Sequence, residues 1–265
     1  MSTVLHISDT HFGTEQAAVV TALLQLHANE KPDLVIASGD ITQRARRSQF
    51  HAATQFFSRL GTPALVIPGN HDIPLFNVVL RLLAPYANYS RAFGQELQPE
   101  FIAHDLCVIG VNTTRPHRHI DGEVSADQIR YVCERLACAH PAQLKIIVTH
   151  QPVLVVNPSD EINLLHGYRE AIEAWVECGV DLILGGHIHL PYVRSLRSEG
   201  FAQPAWAVQA GTAISWRVRD NVPNSVNIIR YDQALRACCV EQWDYAAAHG
   251  AFHLALRTDL DLARD

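Results

Sequence analysis

The chain has 265 residues, of which 48% are hydrophobic and 18% are charged, and its formal net charge is -6 at pH 7. This composition is typical of a compact globular protein and excludes the disordered and fibrous classes. Because a surface that binds nucleic acid is normally basic, the acidic balance argues against a nucleic acid polymer as a partner.

The cysteines and the apolar runs indicate the cellular compartment of the protein. The six cysteines form no Cys-x-x-Cys pair and lie inside apolar segments, as small buried residues of a reduced compartment do. The chain starts without a basic-then-apolar leader, and no apolar run reaches the length of a membrane span. We therefore expect a cytoplasmic protein with no membrane partner.

The first part of the chain alternates predicted strands and helices. In chain order these are a strand at 3–8, a helix at 15–29, a strand at 34–37, a helix at 46–59 and a strand at 64–67. Uninterrupted apolar runs of this length predict strands that are covered on both faces. The β-α-β-α-β order predicts parallel strands joined by right-handed crossovers, so that the three strand ends lie side by side.

The second part continues this alternation and then changes. Segment 74–104 carries two predicted helical pieces, which either cover the site as a lid or pack on its flank. The elements that follow are a strand at 106–111, a helix at 126–138, a strand at 145–149, a helix ending near 178 and a strand at 181–184. After Pro191, four short strands with no helices between them predict an antiparallel half-sheet. The tail, 246–265, is predicted as a surface helix. No linker divides the chain, which predicts one domain over 1–265.

Five of the predicted strands end in residues that can bind a metal ion. These residues are Asp9, His11, Asp40, Asn70, His150, His187 and His189. One such ending is usually a capped turn or a core histidine, but a set that recurs at strand after strand is hard to assign to chance. Ligands collect at the carboxyl ends of strands in α/β sheets, which is where this set is predicted to lie.

Spacing and ligand count suggest how this set is used. The pairs Asp9-x-His11 and His187-x-His189 are predicted to converge, because residues two apart on an extended segment point the same way. Seven groups exceed what one transition ion binds, so two adjacent ions that share a carboxylate are expected. Imidazole, carboxylate and amide ligands without thiolate favour Fe, Mn, Zn or Co.

The ordered motifs Asp9-x-His11, Gly39-Asp40, Gly69-Asn70-His71-Asp72, His150 and Gly186-His187-x-His189 closely resemble the calcineurin-like metallophosphoesterase family. The resemblance implies an α/β fold, a four-layer α/β/β/α sandwich with two mixed β-sheets, and a site for two divalent or trivalent ions. It implies that Asp9, His11 and His189 hold the first ion, that Asn70, His150 and His187 hold the second, and that Asp40 bridges them.

The resemblance also implies a mechanism. Two adjacent cations share a hydroxide of lowered pKa, and this hydroxide is expected to attack phosphorus in line with the leaving oxygen. His71 is the one imidazole of the set with no metal to bind, and it is expected to stabilise the transition state and to protonate the leaving group. Asp72 is expected to orient the His71 ring. A structural role for His71 is the alternative.

Departures from the patterns of individual subfamilies narrow the range of expected substrates. After Asp40 the chain reads Ile41-Thr42-Gln43, so the Asp-x-x-Tyr iron ligand of purple acid phosphatases is missing. The Asp-Arg-Gly continuation of Ser/Thr protein phosphatases is also absent, His71 stands where lipid A pathway hydrolases have Arg, and the DNA-binding segments of the double-strand-break nucleases are lacking. The chain is most similar to bacterial class III cyclic nucleotide phosphodiesterases and glycerophosphodiesterases. A cyclic nucleotide or another small phosphodiester is the expected substrate.

Polar residues on nearby loops are candidates for binding this substrate. Arg44 follows Asp40, the segment Arg115 to His119 follows another strand end, and Asn163 and His166 follow the His150 loop. A guanidinium can donate two parallel hydrogen bonds to a phosphate, although a solvated charged surface is the alternative for most of these residues.

A further alternative is a phosphoesterase-like fold that serves only as a protein-binding scaffold, as in some eukaryotic trafficking subunits. Such proteins usually lose ligands of the motif set, whereas this chain keeps all of them. The resemblance also makes a homodimer an expected arrangement.

Overall fold

The computed structural model describes residues 1–118, 120–201, 203–219 and 221–263. Its strands are β1 (Ser2–Ile7), β2 (Leu34–Ser38), β3 (Ala64–Ile67), β4 (Glu100–Ile102), β5 (Leu106–Gly110), β6 (Leu144–Val148), β7 (Leu182–Gly185), β8 (Tyr192–Ser195), β9 (Trp206–Gln209), β10 (Ser225–Asp232), β11 (Ala237–Ala246) and β12 (Ala251–Leu260). Its α-helices are α1 (Ala17–Glu30), α2 (Arg47–Leu60), α3 (Val78–Leu83), α4 (Ala87–Phe93), α5 (Ala126–Cys138) and α6 (Tyr168–Glu177).

The strands form two six-stranded mixed sheets, which confirms the predicted fold class. The first sheet has the order β12-β11-β10-β1-β2-β3, and the second has the order β4-β5-β6-β7-β9-β8. The parallel strands β1, β2 and β3 are adjacent, as predicted, and β5, β6, β7 and β9 are the parallel strands of the second sheet.

The two sheets pack face to face, and helices cover their outer faces. Residues such as Ile36, Val108 and Ile146 fill the layer between the sheets and are fully buried. Because both faces of the central strands are covered, these strands read as uninterrupted apolar runs rather than as alternating patterns. The packing gives four layers with the carboxyl ends of β1, β2, β3, β6 and β7 at one edge.

Helix α5 illustrates why the sequence folds this way locally. Ser125 accepts a hydrogen bond from the Gln128 backbone N–H, and the Gln128 side chain accepts one from the Ser125 backbone N–H. This reciprocal capping box defines the start of the helix. The buried residues Val132 and Leu136, four apart, give the helix an inner face that packs on the second sheet.

The prediction of one antiparallel half-sheet after Pro191 was wrong. Strands β8 and β9 join the second sheet, where β9 pairs in parallel with β7, whereas β10 and β11 join the first sheet beside β1. Short strands with similar local patterns do not specify which sheet they join, because the pairing depends on contacts far away in the chain.

The C-terminal tail is also corrected. Residues predicted as a surface helix form β12, which pairs with β11 in a hairpin at the edge of the first sheet. Most of its side chains are exposed, so the alternation that would indicate a strand is weak. The strand β4, only three residues long, was not predicted either.

Segment 74–104 contains the two short helices α3 and α4. Tyr89 of α4 is buried against Phe50 and Phe93, and its hydroxyl donates to the Val66 carbonyl, so α4 packs on the flank of the first sheet. Helix α3 carries the exposed side chains Val78, Val79, Leu82 and Leu83. Within the described residues, no helix combines the length and the apolar character needed to cross a bilayer.

Candidate metal centre

The residues predicted as metal ligands converge at the edge where the two sheets meet. Asp9, His11, Asp40 and Asn70 come from the first sheet, and His150, His187 and His189 come from the second. We call these seven residues the metal-ligand cluster. Most of them are buried; Asp9, His11 and His150 are completely inaccessible to solvent.

On one side of the cluster, Asp9 faces two imidazoles. Asp9 Oδ1 lies 3.2 Å from His189 Nε2 and 3.7 Å from His11 Nε2, and the two Nε2 atoms are 3.3 Å apart. These ligand atoms surround a common point, and all lie within 4.8 Å of one another.

On the other side, Asn70 and Asp40 face two more imidazoles. Asn70 Oδ1 lies 3.1 Å from both His150 Nε2 and His187 Nδ1, and Asp40 Oδ1 lies 3.3 Å from His150 Nε2. The second oxygen of Asp40 is directed to the first side, 3.8 Å from His11 Nε2. Asp40 therefore lies between the two groups, as a bridging carboxylate must.

The donor set fits two metal ions. Asp9 Oδ1 is buried and forms no hydrogen bond within the described residues, even though His189 is close. A buried carboxylate oxygen without a hydrogen bond is costly unless another positive group binds it. His150 Nδ1 donates to the Ser38 carbonyl at 2.8 Å and His189 Nδ1 donates to the Arg217 carbonyl at 2.7 Å. Both rings are thereby oriented so that Nε2, which carries no proton when the ring is neutral, faces the cluster.

The cluster residues adopt strained backbone conformations. Among the residues that the structure describes, nine non-glycine residues have positive φ, and five of them belong to the cluster: Asp9, His11, Asp40, His187 and His189. Asp9 and His11 approach one centre, as predicted, but the reason given, an extended segment, was wrong for both pairs, and His187 and His189 do not share a centre. The chain turns sharply through the left-handed region instead, and His187 and His189 are directed to different sides of the cluster.

Two glycines make the close approach of these loops possible. A Cβ atom at Gly39 would collide with the His150 ring, and one at Gly69 would collide with the backbone and carboxylate of Asp40. Gly39 also has a φ of +96°, which favours glycine. The glycines that precede Asp40 and Asn70 are therefore required by the packing of the strand ends.

The electrostatics of the cluster match the needs of a metal site. Burial would raise the pKa of Asp9 and Asp40, but neighbouring histidines hold both below their ordinary values. Burial lowers the pKa of His11 to about 3 and that of His187 to about 4. Burial also opposes protonation of His150, but the Asp40 carboxylate outweighs it and raises the pKa to about 9. The carboxylates are thus ionised and two imidazoles are neutral at pH 7, whereas His150 must lose a proton to bind a metal.

His71 lies at the open side of the cluster. Its Nδ1 donates to the Gln43 carbonyl at 2.9 Å, which leaves Nε2 without a proton in the neutral ring. This Nε2 atom lies 4.0 Å from Asp40 Oδ2 and 3.3 Å from the Arg217 guanidinium. A third grouping of possible ligands includes His71, but a guanidinium at this distance disfavours a metal ion on the same nitrogen.

The prediction that Asp72 orients the His71 ring was wrong. The Asp72 carboxylate accepts hydrogen bonds from the backbone N–H groups of Ile41, Thr42 and Gly69 and from the Thr42 hydroxyl. Burial, with the nearby Asp40 charge, raises the pKa of Asp72 to about 6. The side chain is completely buried and fastens the loop after β2 to the loop after β3.

A pocket of about 280 Å³ opens beside His71, and we call it the side pocket. It is lined by Gln43, Arg44, Asn70, His71, Ile73, Leu75 and Ile120. The predicted substrate residue Arg44 is thus at the site, and its guanidinium lies 5.1 Å from the centre of the Phe76 ring. A wider groove of about 790 Å³ between α1 and α2 contains no member of the cluster.

The other predicted substrate residues do not line the side pocket. Arg115 donates to the carbonyls of Asn112 and Thr114 and to the Gln128 side chain, and these hydrogen bonds stabilise the loop that leads into α5. Asn163 ends the short 3₁₀ helix Pro158–Asn163, and exposed His166 lies 3.6 Å from Asp121. His119 lies outside the described residues.

Sequence reasoning missed Arg217, which lies in the loop between β9 and β10. Its Nη1 donates to Gln43 Oε1 at 3.0 Å and contacts His71 Nε2. The local sequence, Ser-Trp-Arg-Val-Arg, contains no motif that distinguishes Arg217 from a surface arginine. Only the folding of this loop onto the β1 strand end brings it to the cluster.

Comparisons with known proteins agree with this geometry. A family model described as calcineurin-like phosphoesterase matches residues 2–191. A probable cyclic nucleotide phosphodiesterase from Synechococcus is 29% identical over 200 residues, which cover 74% of this chain and 72% of that protein. A glycerophosphodiester phosphodiesterase from Enterobacter lignolyticus is 40% identical over 80 residues, covering 25% of this chain and 28% of that protein. A dimetal phosphatase structure from Danio rerio superimposes with a TM-score of 0.68 at 14% identity, covering 99% of both chains.

Proposed function

We propose that this chain, which belongs to the calcineurin-like phosphoesterase family and is a hydrolase of phosphoric esters, uses two metal ions to cleave a small phosphodiester, specifically a 3′,5′-cyclic nucleotide. The observation that carries the proposal is the convergence of the seven side chains of the metal-ligand cluster, from two sheets, on neighbouring points. Glycerophosphodiesterase activity or a broad phosphomonoesterase activity is the alternative.

The cluster divides into two sets of ligands. Asp9, His11 and His189 would hold one ion, Asn70, His150 and His187 would hold the other, and Asp40 would bind both. Two ions at these positions would supply water of lowered pKa and polarise the phosphoryl oxygens, which is the chemistry that phosphodiester hydrolysis needs. Imidazole, carboxylate and amide donors suit Fe, Mn, Zn or Co.

His71 is placed to handle the proton of the leaving group. Its Nδ1 proton is held by the Gln43 carbonyl, so Nε2 is the nitrogen that faces the open side of the cluster. When the ring is protonated, Nε2–H can donate to the leaving oxygen of a bound ester. The ring is 22% exposed, which gives a substrate access to it.

The side pocket favours a nucleotide over a glycerol ester. Three of its walls are the apolar side chains Ile73, Leu75 and Ile120, and Arg44 lies at its edge with the Phe76 ring. A flat nucleobase gains from contact with apolar and guanidinium surfaces, whereas a glycerol group is too polar and small to bury much area there. The matched relative from Synechococcus, a probable cyclic nucleotide phosphodiesterase, supports the same substrate class.

The glycerophosphodiester alternative has one observation in its favour. The stretch of 80 residues that matches the Enterobacter enzyme has the higher identity of the two relatives, 40%. This stretch covers only 25% of the chain, so it is weaker support for a substrate than the match to the Synechococcus protein, which covers 74% of the chain.

Kinetics on reconstituted protein test the proposal. Protein loaded in turn with Mn, Fe, Zn or Co is assayed with cyclic nucleotides, glycerophosphodiesters and phosphomonoesters, with the metal-free protein as control. We expect kcat/KM for a cyclic nucleotide to exceed the others by about tenfold or more. Rates within tenfold across the panel would remove the substrate assignment, and a chain that binds no stoichiometric metal and shows no metal-dependent rate would be a scaffold.

The proposal also includes a cytoplasmic location and a small-molecule substrate rather than a nucleic acid polymer. All six cysteines are free thiols, which is consistent with a reducing compartment. A homodimer stays a prediction, and sedimentation of the purified protein measures it.

A further inference from the structure

Arg217 is held at the site by a well-fixed loop. The Thr212 hydroxyl donates to the Arg217 carbonyl at 2.9 Å, and the Arg217 backbone N–H donates to the Ser215 hydroxyl at 3.0 Å. The loop is joined to the end of β1, because the Ala213 backbone N–H donates to the Ser8 carbonyl at 3.0 Å. The position of the Arg217 backbone is therefore set by the same strand end that carries Asp9.

The backbone and the side chain of Arg217 contact different parts of the site. Its carbonyl accepts the Nδ1–H of His189, a member of the metal-ligand cluster. Its guanidinium extends across the open side of the cluster to Gln43 and His71, which belong to the loops after β2 and β3. A substitution of the side chain leaves the carbonyl contact in place, so the two roles can be separated experimentally.

The Arg217 guanidinium has N–H donors beyond those used in its two contacts within the described residues. The two contacts within the described residues, to Gln43 Oε1 at 3.0 Å and to His71 Nε2 at 3.3 Å, are both made by Nη1. A guanidinium carries five N–H donors in a fixed fork that matches the oxygens of a phosphate. Gln43 thus holds the Arg217 guanidinium beside His71, and the remaining N–H donors of the guanidinium can bind an anion.

The location of this charge suggests its ligand. A phosphodiester carries one negative charge shared between two non-bridging oxygens, and a phosphoryl group that reaches the cluster and His71 together must pass beside Nη1. We infer that Arg217 binds a non-bridging oxygen of the substrate phosphoryl group from the side of His71, opposite the metal-ligand cluster, and that Gln43 positions its guanidinium. This inference rests on the proposed function, because it assigns a second phosphate contact to the same site.

Phosphate binding tests the inference without relying on turnover. Wild-type protein and the variants Arg217→Gln and Arg217→Lys are loaded with Mn²⁺, their metal content is measured, and inorganic phosphate is titrated by calorimetry. Loss of a charge-assisted hydrogen bond should weaken phosphate binding by about 10- to 100-fold in Arg217→Gln, with metal content unchanged. Arg217→Lys keeps the charge but not the fork and should fall between the two.

Two further variants sharpen the experiment. Gln43→Ala removes the Oε1 contact but keeps the carbonyl that holds His71, and should weaken phosphate binding by a smaller factor than Arg217→Gln. Arg130→Gln is the matched control, because Arg130 is 65% exposed on α5 and pairs with Asp127. Its phosphate affinity should equal that of the wild type.

The outcomes separate the inference from the proposed function. Phosphate affinity of Arg217→Gln within twofold of the wild type, loss of metal in that variant, or no phosphate binding by the loaded wild type would each overturn the inference. Phosphate binding that depends on Arg217 in a protein that hydrolyses no phosphodiester would support the anion contact and reject the proposed function. Hydrolysis of a phosphodiester by the wild type, together with unchanged phosphate affinity in Arg217→Gln, would support the proposed function and reject the anion contact.

Discussion

The metal-ligand cluster and the side pocket lie next to each other and are built differently. The cluster sits at the ends of buried strands, and Asp9, His11 and His150 have no exposed surface. The side pocket is bordered by loop residues, among which Ile120 is 55% exposed and the neighbouring Phe76 is 79% exposed. Under the proposed function, strand ends would hold the groups that carry out the reaction and loops would hold the groups that contact the rest of the substrate, so the two could change independently.

Hydrogen bonds between the loops hold the strained backbone of the cluster in place. Left-handed backbone at a non-glycine residue costs about 1–2 kcal/mol, and five cluster residues adopt it. Hydrogen bonds between the loops compensate: the His11 backbone N–H donates to the Asp40 carbonyl, the His71 backbone N–H to the Asp40 carboxylate, and the His187 backbone N–H to the Asp9 carboxylate. The loops that bear the ligands therefore fix one another.

The largest effect is expected from removing the carboxylate between the two halves of the cluster. Asp40→Ala should lose metal from both sides and lower kcat/KM by more than about 10³-fold, since it removes more than one electrostatic stabiliser worth about 10²–10³. Elemental analysis and kinetics measure this, with exposed Asp127→Ala as control. Two ions retained per chain in Asp40→Ala would contradict the bridging role.

His71 lies on the border of the two regions and should affect turnover without affecting metal. His71→Ala should keep both ions and lower kcat by about 10²–10⁴-fold, the usual contribution of a general acid. Exposed His51 on α2 provides the matched control variant, His51→Ala. Full activity in His71→Ala would remove this ring from the mechanism and leave it the structural role.

Asp72 should act on stability rather than on proton transfer. Asp72→Ala leaves three buried backbone N–H groups without acceptors and should lower the free energy of unfolding by about 3 kcal/mol or more. Chemical denaturation measures this loss, and exposed Asp259→Ala should show almost none. An unchanged free energy of unfolding together with a large loss in kcat would restore the catalytic role that the sequence suggested.

The walls of the side pocket should affect selectivity alone. Leu75→Ser and Ile120→Ser should lower kcat/KM for a cyclic nucleotide by about tenfold, while activity on a small non-nucleotide diester such as dimethyl phosphate changes little. Leu235→Ser, at an exposed turn of the first sheet, is the control. Equal losses on both substrates would show that the walls support the cluster rather than the substrate.

The effect that changes most gradually is the dependence of metal affinity on pH. Because the pKa of His150 is raised to about 9 and a metal ligand must be neutral, the metal has to displace this proton at pH 7. Because, against the effect of burial, the Asp9 carboxylate also raises the pKa of His189, the affinity for Mn²⁺ should fall at least about tenfold for each pH unit lowered between pH 8 and pH 6. Metal titrations in this range measure the slope, and an affinity independent of pH would show that His150 is neutral before binding.

Local patterns in the sequence predicted most of the fold. The helix Ala126–Cys138 matches the prediction in both bounds, because its capping box and apolar spacing are local signals. The β12 strand and the division of β8 to β11 between two sheets were not predicted, since an exposed edge strand has a weak pattern and sheet partners lie far apart in the chain.

The sequence by itself determined the residues that converge, because each one directly follows an apolar run and strands of one sheet end at one edge. The tertiary structure decided how they do so: through left-handed turns, with Asp72 fastening two loops and with Arg217 reaching Gln43 from 174 residues away. The reason is physical. A strand and its end are specified by neighbours in the chain, whereas a hydrogen-bond partner is specified only when two distant loops have packed against each other.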